Sequence, residues 1–199
     1  MAKELHKYLI HYFSQLEKVD CKWKELFEEA ERPLHALRNQ SEQLRLVTSE
    51  EVNDAELCKI DELYERLIFK ILMGVDDELG LLSGILTRFN NANQDLKNRL
   101  KNLEDARSKI SLNDETMTEL INGTPYTPRL NLLLEWAVEA YNYYNELYLR
   151  IKENIKQFNY KDEETVENLT ESFVEDRFKR ARIDRILAFT QFMIQENVR

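Results

Sequence analysis

From Leu9 to Leu44 the residues Leu9, Phe13, Leu16, Asp20, Trp23, Phe27, Ala30, Leu34, Leu37, Ser41 and Leu44 recur at a 4,3 spacing without a phase slip. Only Asp20 and Ser41 are polar on this row. A 4,3 repeat keeps its apolar residues on one stripe only if the chain is α-helical, because a strand alternates faces every residue. The row therefore predicts one long helix of about five heptads. Pro33 removes a backbone donor inside it, yet the apolar phase continues on both sides, which predicts a kink and not a stop. Composition agrees. The 199 residues include four Gly and three Pro, too few for the many tight turns of a β-rich fold.

A polar stretch, Val47 to Asp54, forms the first connection, where Ser49, Asn53 or Asp54 is able to cap the next helix. A second row runs through Leu57, Ile60, Tyr64, Leu67 and Ile71, changes spacing at Val75, Leu79 and Leu82, and resumes through Leu86, Phe89, Asn93, Leu96, Leu100, Leu103 and Ile110. This slip is a stutter. It coincides with Gly74, Gly80 and Gly84, and the one-face placement of Gly80 and Gly84 predicts a close helix crossing or a flexible joint. Asn122-Gly123, Thr124-Pro125 and Thr127-Pro128 mark a loop over residues 111–127, with a short helical turn near Met117 to Ile121. Thr127 then serves as the expected N-cap, with Pro128 at the first helical position. The reading is a single all-α domain over 1–199, an elongated, coiled-coil-like bundle of four or five long helices, with arms near 2–46, 54–110, 128–160 and 164–197.

Chemistry is sparse. His6, His11 and His35 do not form the Glu-x-x-His pairs of di-iron bundles, and Cys21 and Cys58 form no Cys-x-x-Cys motif. The expected state of both cysteines is the free thiol of a reducing compartment. No phosphate loop or nucleophile elbow is present, and no catalytic, cofactor-binding or metal-binding residue is nominated. No membrane segment is expected either, since every window of spanning length is interrupted by charge. A net charge of -9 argues against direct nucleic-acid binding, which draws on excess Lys and Arg. One local exception is RFKRARIDR, where Arg177, Lys179, Arg180, Arg182 and Arg185 outnumber Asp184. It reads as a salt-bridged helix face or as an anion-facing patch, with Phe178 and Ile183 expected to anchor the core.

Tyr and Trp are more numerous than a narrow helix seam needs, and both are enriched at interface hot spots. The sequence WKELFEEAERPLHAL (Trp23 to Leu37), followed by SEQL (Ser41 to Leu44), resembles the first helix of the AIRIM family of ribosome maturation factors. TPRLNLLLEW (Thr127 to Trp136), continued by Tyr144, Tyr148 and Leu149, resembles that family's third helix. The likeness implies a non-catalytic adaptor, active in the cytoplasm and nucleus. It implies a helical partner similar to the cyclin-dependent-kinase-two-interacting protein (CINP), and joint action with SPATA-type AAA+ ATPases on precursors of the large ribosomal subunit and in replisome proteostasis. The partner interface is expected on Trp23, Phe27, Leu34, Leu37, Leu44, Trp136, Tyr144 and Tyr148. The heptads by themselves also permit a structural coiled-coil subunit of a cytoskeletal or kinetochore-type assembly.

Overall fold

A computed structural model describes residues 2–49, 62–110 and 115–196. It is all-α. Two helices of 46 residues, α1 (Ala2–Val47) and α2 (Leu63–Ser108), are followed by a 3-10 turn (Glu115–Met117) and the five-residue α3 (Thr118–Asn122). Then come α4 (Leu130–Gln157), α5 (Glu163–Ser172) and α6 (Arg177–Glu196). No strand occurs among the described residues.

The long row on α1 is the core. All of its members from Leu9 to Leu44 are buried except Phe27, which is half-buried, and the helix continues through Pro33. Asp20 and Ser41, the two polar members, are buried with the rest. The Ser49 hydroxyl donates to the Leu46 carbonyl (2.8 Å) and closes the end of α1, and the residues it is expected to cap lie outside the described ones. Asn53, Asp54, Leu57, Cys58 and Ile60 lie outside the described residues.

The helices fall into two compact units. One comprises residues 1–24, 90–146 and 175–199, and the other residues 25–89 and 147–174. In the first, the Tyr12 hydroxyl donates to the Ala137 carbonyl (2.5 Å) and Asn93 Nδ2 donates to the Tyr144 carbonyl (3.0 Å). These buried bonds fix the start of α1 and the second half of α2 against α4. In the second unit the rings of Phe27, Phe89 and Phe173 cluster, with centroids 5.4 to 6.4 Å apart.

Four local expectations are revised. Leu67, placed on the inner row of α2, is exposed. Gly80 and Gly84 are exposed, and a Cβ at either would meet nothing within 4 Å, so among the described residues no helix crosses there. Of the three α2 glycines only Gly74 has a close neighbour, the Gln40 side chain. The third revision concerns α4, which begins at Leu130 and not at Pro128. Thr127 is bound instead into the preceding loop, its N–H donating to Thr124 Oγ1 (2.9 Å) and its carbonyl accepting from the Thr124 N–H (2.8 Å). Finally, the arm expected over 164–197 is two helices. Asp162 caps α5 by accepting from the Glu164 N–H, and Asp176 restarts the helix by accepting from the N–H groups of Phe178 (2.8 Å) and Lys179 (3.0 Å).

Candidate protein-docking face

Helix α6 carries two apolar rows where one core-facing helix needs one. The inner row, Ile183, Ile186, Thr190 and Met193, is buried. The outer row, Phe178, Arg182, Arg185, Phe189 and Phe192, repeats the 4,3 spacing about 100° around the helix from the inner one. Its three phenylalanines are 90, 53 and 59 % exposed. The expectation that Phe178 anchors the core is therefore overturned. It occupies the first turn of a helix whose first inward side chain is Arg180, two positions and about 200° further around, so its ring points away from the interior.

The inner side of α6 is held by a buried polar cluster. Asp20 of α1 accepts from the Arg180 guanidinium, from the Tyr144 hydroxyl (2.7 Å) and from Lys24 (2.9 Å). Arg180 also reaches Asp184 (2.5 Å) and Glu175 (3.5 Å), while the Tyr143 hydroxyl donates to Glu175 (2.5 Å). Burial is the largest influence on Asp20 and would raise its pKa. The hydrogen bonds from Arg180, Lys24 and Tyr144 and the Arg180 charge outweigh it and hold the carboxyl below its ordinary value. Burial and then the Asp20 charge push the Tyr144 phenol up, and burial and then Glu175 do the same to Tyr143. Burial would lower the Arg180 pKa, but its bonds to Asp20 and Asp184 carry it above its usual range. Asp20 and Arg180 are thus charged and the phenols neutral across ordinary pH. The cluster can fix the position of α6 and is not tuned for proton transfer.

A groove of about 960 Å³ opens between α4 and α6. Its floor includes Leu134, Val138 and Tyr143 from α4 and Phe178 and Ile183 from α6. Ion pairs bridge it, Arg182 to Glu139 through two bonds (2.8 and 3.1 Å) and Lys179 to Glu146 (2.7 Å). The bonds to Glu139 raise the Arg182 pKa. Further along, the Trp136 ring stacks on Phe189 at 5.8 Å, and the buried Trp136 indole N–H has no hydrogen-bond partner among the described residues.

Of the eight residues expected at a partner interface, Trp23, Leu34, Leu37, Leu44, Trp136 and Tyr144 are buried within the chain, and Phe27 and Tyr148 are half-buried. The structure brings Trp23 and Tyr144 together (centroids 5.2 Å apart) in one unit, and gathers Phe27 with Phe89 and Phe173 in the other. Of the basic cluster, Arg180, Arg182 and Lys179 are engaged by carboxylates of this chain, and Arg177 and Arg185 are exposed. Sequence reasoning missed the outer row because Arg182 and Arg185 interrupt its apolar members and the buried row runs one residue after it. Its signal was the 4,3 spacing from Phe178 to Phe192, read separately from Ile183 to Met193.

Among the described residues no group of His, Cys, Asp and Glu could hold a metal ion, and no helix is long and apolar enough to cross a membrane. Fold and face together define an all-α chain whose distinctive surface is an unburied helical seam. A family model, the CA109-like family of ribosome biogenesis proteins (C1orf109-like), matches residues 3–192, and the chain belongs to that family. The AIRIM resemblance of the first and third long helices is thereby shown. No curated protein matches the chain.

Proposed function

We propose that this ribosome biogenesis protein works as a non-catalytic adaptor, docking an amphipathic helix of a partner protein into the groove between α4 and α6. The observation that carries this reading is the outer row of α6. Full burial of one Phe side chain stabilises an association by about 1.5–3 kcal/mol, so Phe178 in the groove is a strong anchor, to which Phe192 and the uncovered part of Phe189 add further along the same helix. The three rings stand at positions 178, 189 and 192 of one helix face, with Arg182 and Arg185 between them, a seam against which a partner helix can lay its own apolar anchors at i, i+4 and i+7. The exposed Arg185 favours an acidic residue on the docked helix, and Glu135 on the α4 rim favours a basic one. A chain that supplies geometry and not chemistry suits an energy-consuming maturation step whose hydrolysis is performed by another subunit. In this reading, which the AIRIM likeness supports, the partner is a CINP-like helical protein, the motor a SPATA-type AAA+ ATPase, the target precursors of the large ribosomal subunit, and the sites of action cytoplasm and nucleus.

Phe178→Asp and Phe192→Asp change exposed side chains and should leave helicity by circular dichroism unaltered. Both should abolish co-purification of the tagged protein with the CINP-like partner, the ATPase and large-subunit precursors. Full retention of that set by both variants would overturn the reading.

A further inference from the structure

The second unit has an unburied helix face of its own. Along α2, Leu63, Arg66, Lys70, Met73 and Asp77 follow a 3,4,3,4 spacing, and each is exposed. Gly80 and Gly84 continue the row, also exposed, with open space around the position of a Cβ. Leu67 and Leu81 flank it and are 45 and 54 % exposed. Four exposed large apolar side chains, Leu63, Leu67, Met73 and Leu81, thus share one face with Arg66, Lys70 and Asp77, and such a mixed, unburied face suits an interaction surface. Its occupant is indicated by the order of residues along the row.

Large apolar and cationic residues lie in the first half, and an anion and two glycines in the second. The row is self-complementary if it is turned end for end. We propose that a second copy of this chain docks antiparallel along α2 from residue 63 to residue 84, about a two-fold axis level with Met73 and Gly74. In that register Leu63 of one copy lies level with Gly84 of the other, where the missing side chain admits it. Lys70 lies level with Asp77, and Arg66 lays its stem beside Leu81. Each contact occurs twice, as an isologous interface requires. Met73 flanks the axis and meets its own counterpart.

A parallel arrangement of the same row would set Lys70 against Lys70 and Asp77 against Asp77, which is repulsive, and would leave glycine facing glycine as a void. About 22 residues of helix make a contact some 33 Å long, a length adequate for a two-helix interface. The groove beside α6 belongs to the other unit, so dimerisation here does not depend on the adaptor reading.

The test uses the full chain with Cys21 and Cys58 replaced by Ser, followed by sedimentation equilibrium from low to high micromolar concentration. The expected result is a reversible monomer–dimer equilibrium. Lys70→Glu and Asp77→Lys should each weaken it about tenfold, and the double variant should restore it, because Lys70 and Asp77 pair across the two-fold axis. Met73→Cys should oxidise to a disulfide-linked dimer, whereas Glu65→Cys, directed away from the row, should not. A monomer at every concentration, a dimer indifferent to both charge reversals, a double variant no better than the singles, or equal cross-linking at 73 and 65 would each overturn the proposal. So would a different polypeptide found covering this face in the assembled complex.

Discussion

Asp20→Asn tests whether the buried polar cluster holds α6 in place. The substitution keeps the side chain's volume and removes its charge. Asp20 and Arg180 have side chains only 6 and 14 % exposed, so the pair is poorly screened by solvent. Removing one partner of a buried ion pair costs about 3–5 kcal/mol when the other is left uncompensated. Arg180 retains Asp184 and Glu175, which offsets part of that loss. Against this, one amide N–H of the new Asn meets a donor, and a buried hydrogen bond left unmade costs about 1–3 kcal/mol. The expected loss is about 2–4 kcal/mol, and for a chain of this length each kcal/mol lowers Tm by about 2–4 °C. Urea unfolding followed by fluorescence is the assay, since the Trp23 ring packs against Tyr144 at the cluster. The pH dependence has a definite sign. A carboxyl held below its ordinary value in the folded state stabilises the fold above that value and ceases to do so as pH falls through the lowered one. The native protein should therefore lose stability more steeply than Asp20→Asn as the pH drops below about 4. A loss under about 0.5 kcal/mol, or identical acid profiles, would refute the reasoning.

Gly123→Ala should destabilise by about 1–3 kcal/mol in thermal unfolding. Gly123 has φ of 75°, and a Cβ there would meet the Thr127 carbonyl oxygen at 2.9 Å and the Arg129 nitrogen at 3.0 Å. Gly80→Ala should act oppositely, raising stability by up to about 1 kcal/mol, because its helix-interior site has open space for the methyl group. Phe89→Ala, at a fully buried ring between Phe27 and Phe173, should cost about 3–5 kcal/mol, and Phe178→Ala should change urea stability by less than about 0.5 kcal/mol. Tyr12→Phe, which strips the donor from the Ala137 carbonyl, should cost about 1–2 kcal/mol.

Much of the fold is legible in the sequence because it is written in one period. The row from Leu9 to Leu44 identifies α1, its continuity through Pro33 and its two buried polar members without reference to any partner. What a periodic pattern does not report is which of two rows on one helix is covered. Phe178 and Phe173 are the same residue five positions apart, and Asp176, an N-cap in an otherwise helical stretch, turns one outward and the other inward. Glycines at four-residue spacing are equally silent, since they serve a close crossing or an open face according to what packs nearby. The Asp20 cluster joins residues 160 positions apart in sequence, a distance over which local pattern carries no information. Its members, polar on a heptad row and basic on the last helix, look unrelated until the chain is folded.

The most direct test places a photo-cross-linking amino acid at Phe178 and, as a control on an exposed site of α2, at Lys101, in cells where the ribosome assembly pathway is active. Position 178 should capture a helical segment of the CINP-like partner in high yield, and position 101 should not. Equal capture at both positions, or none at 178 while the protein remains assembled with large-subunit precursors, would contradict the assignment of α6 as the docking helix.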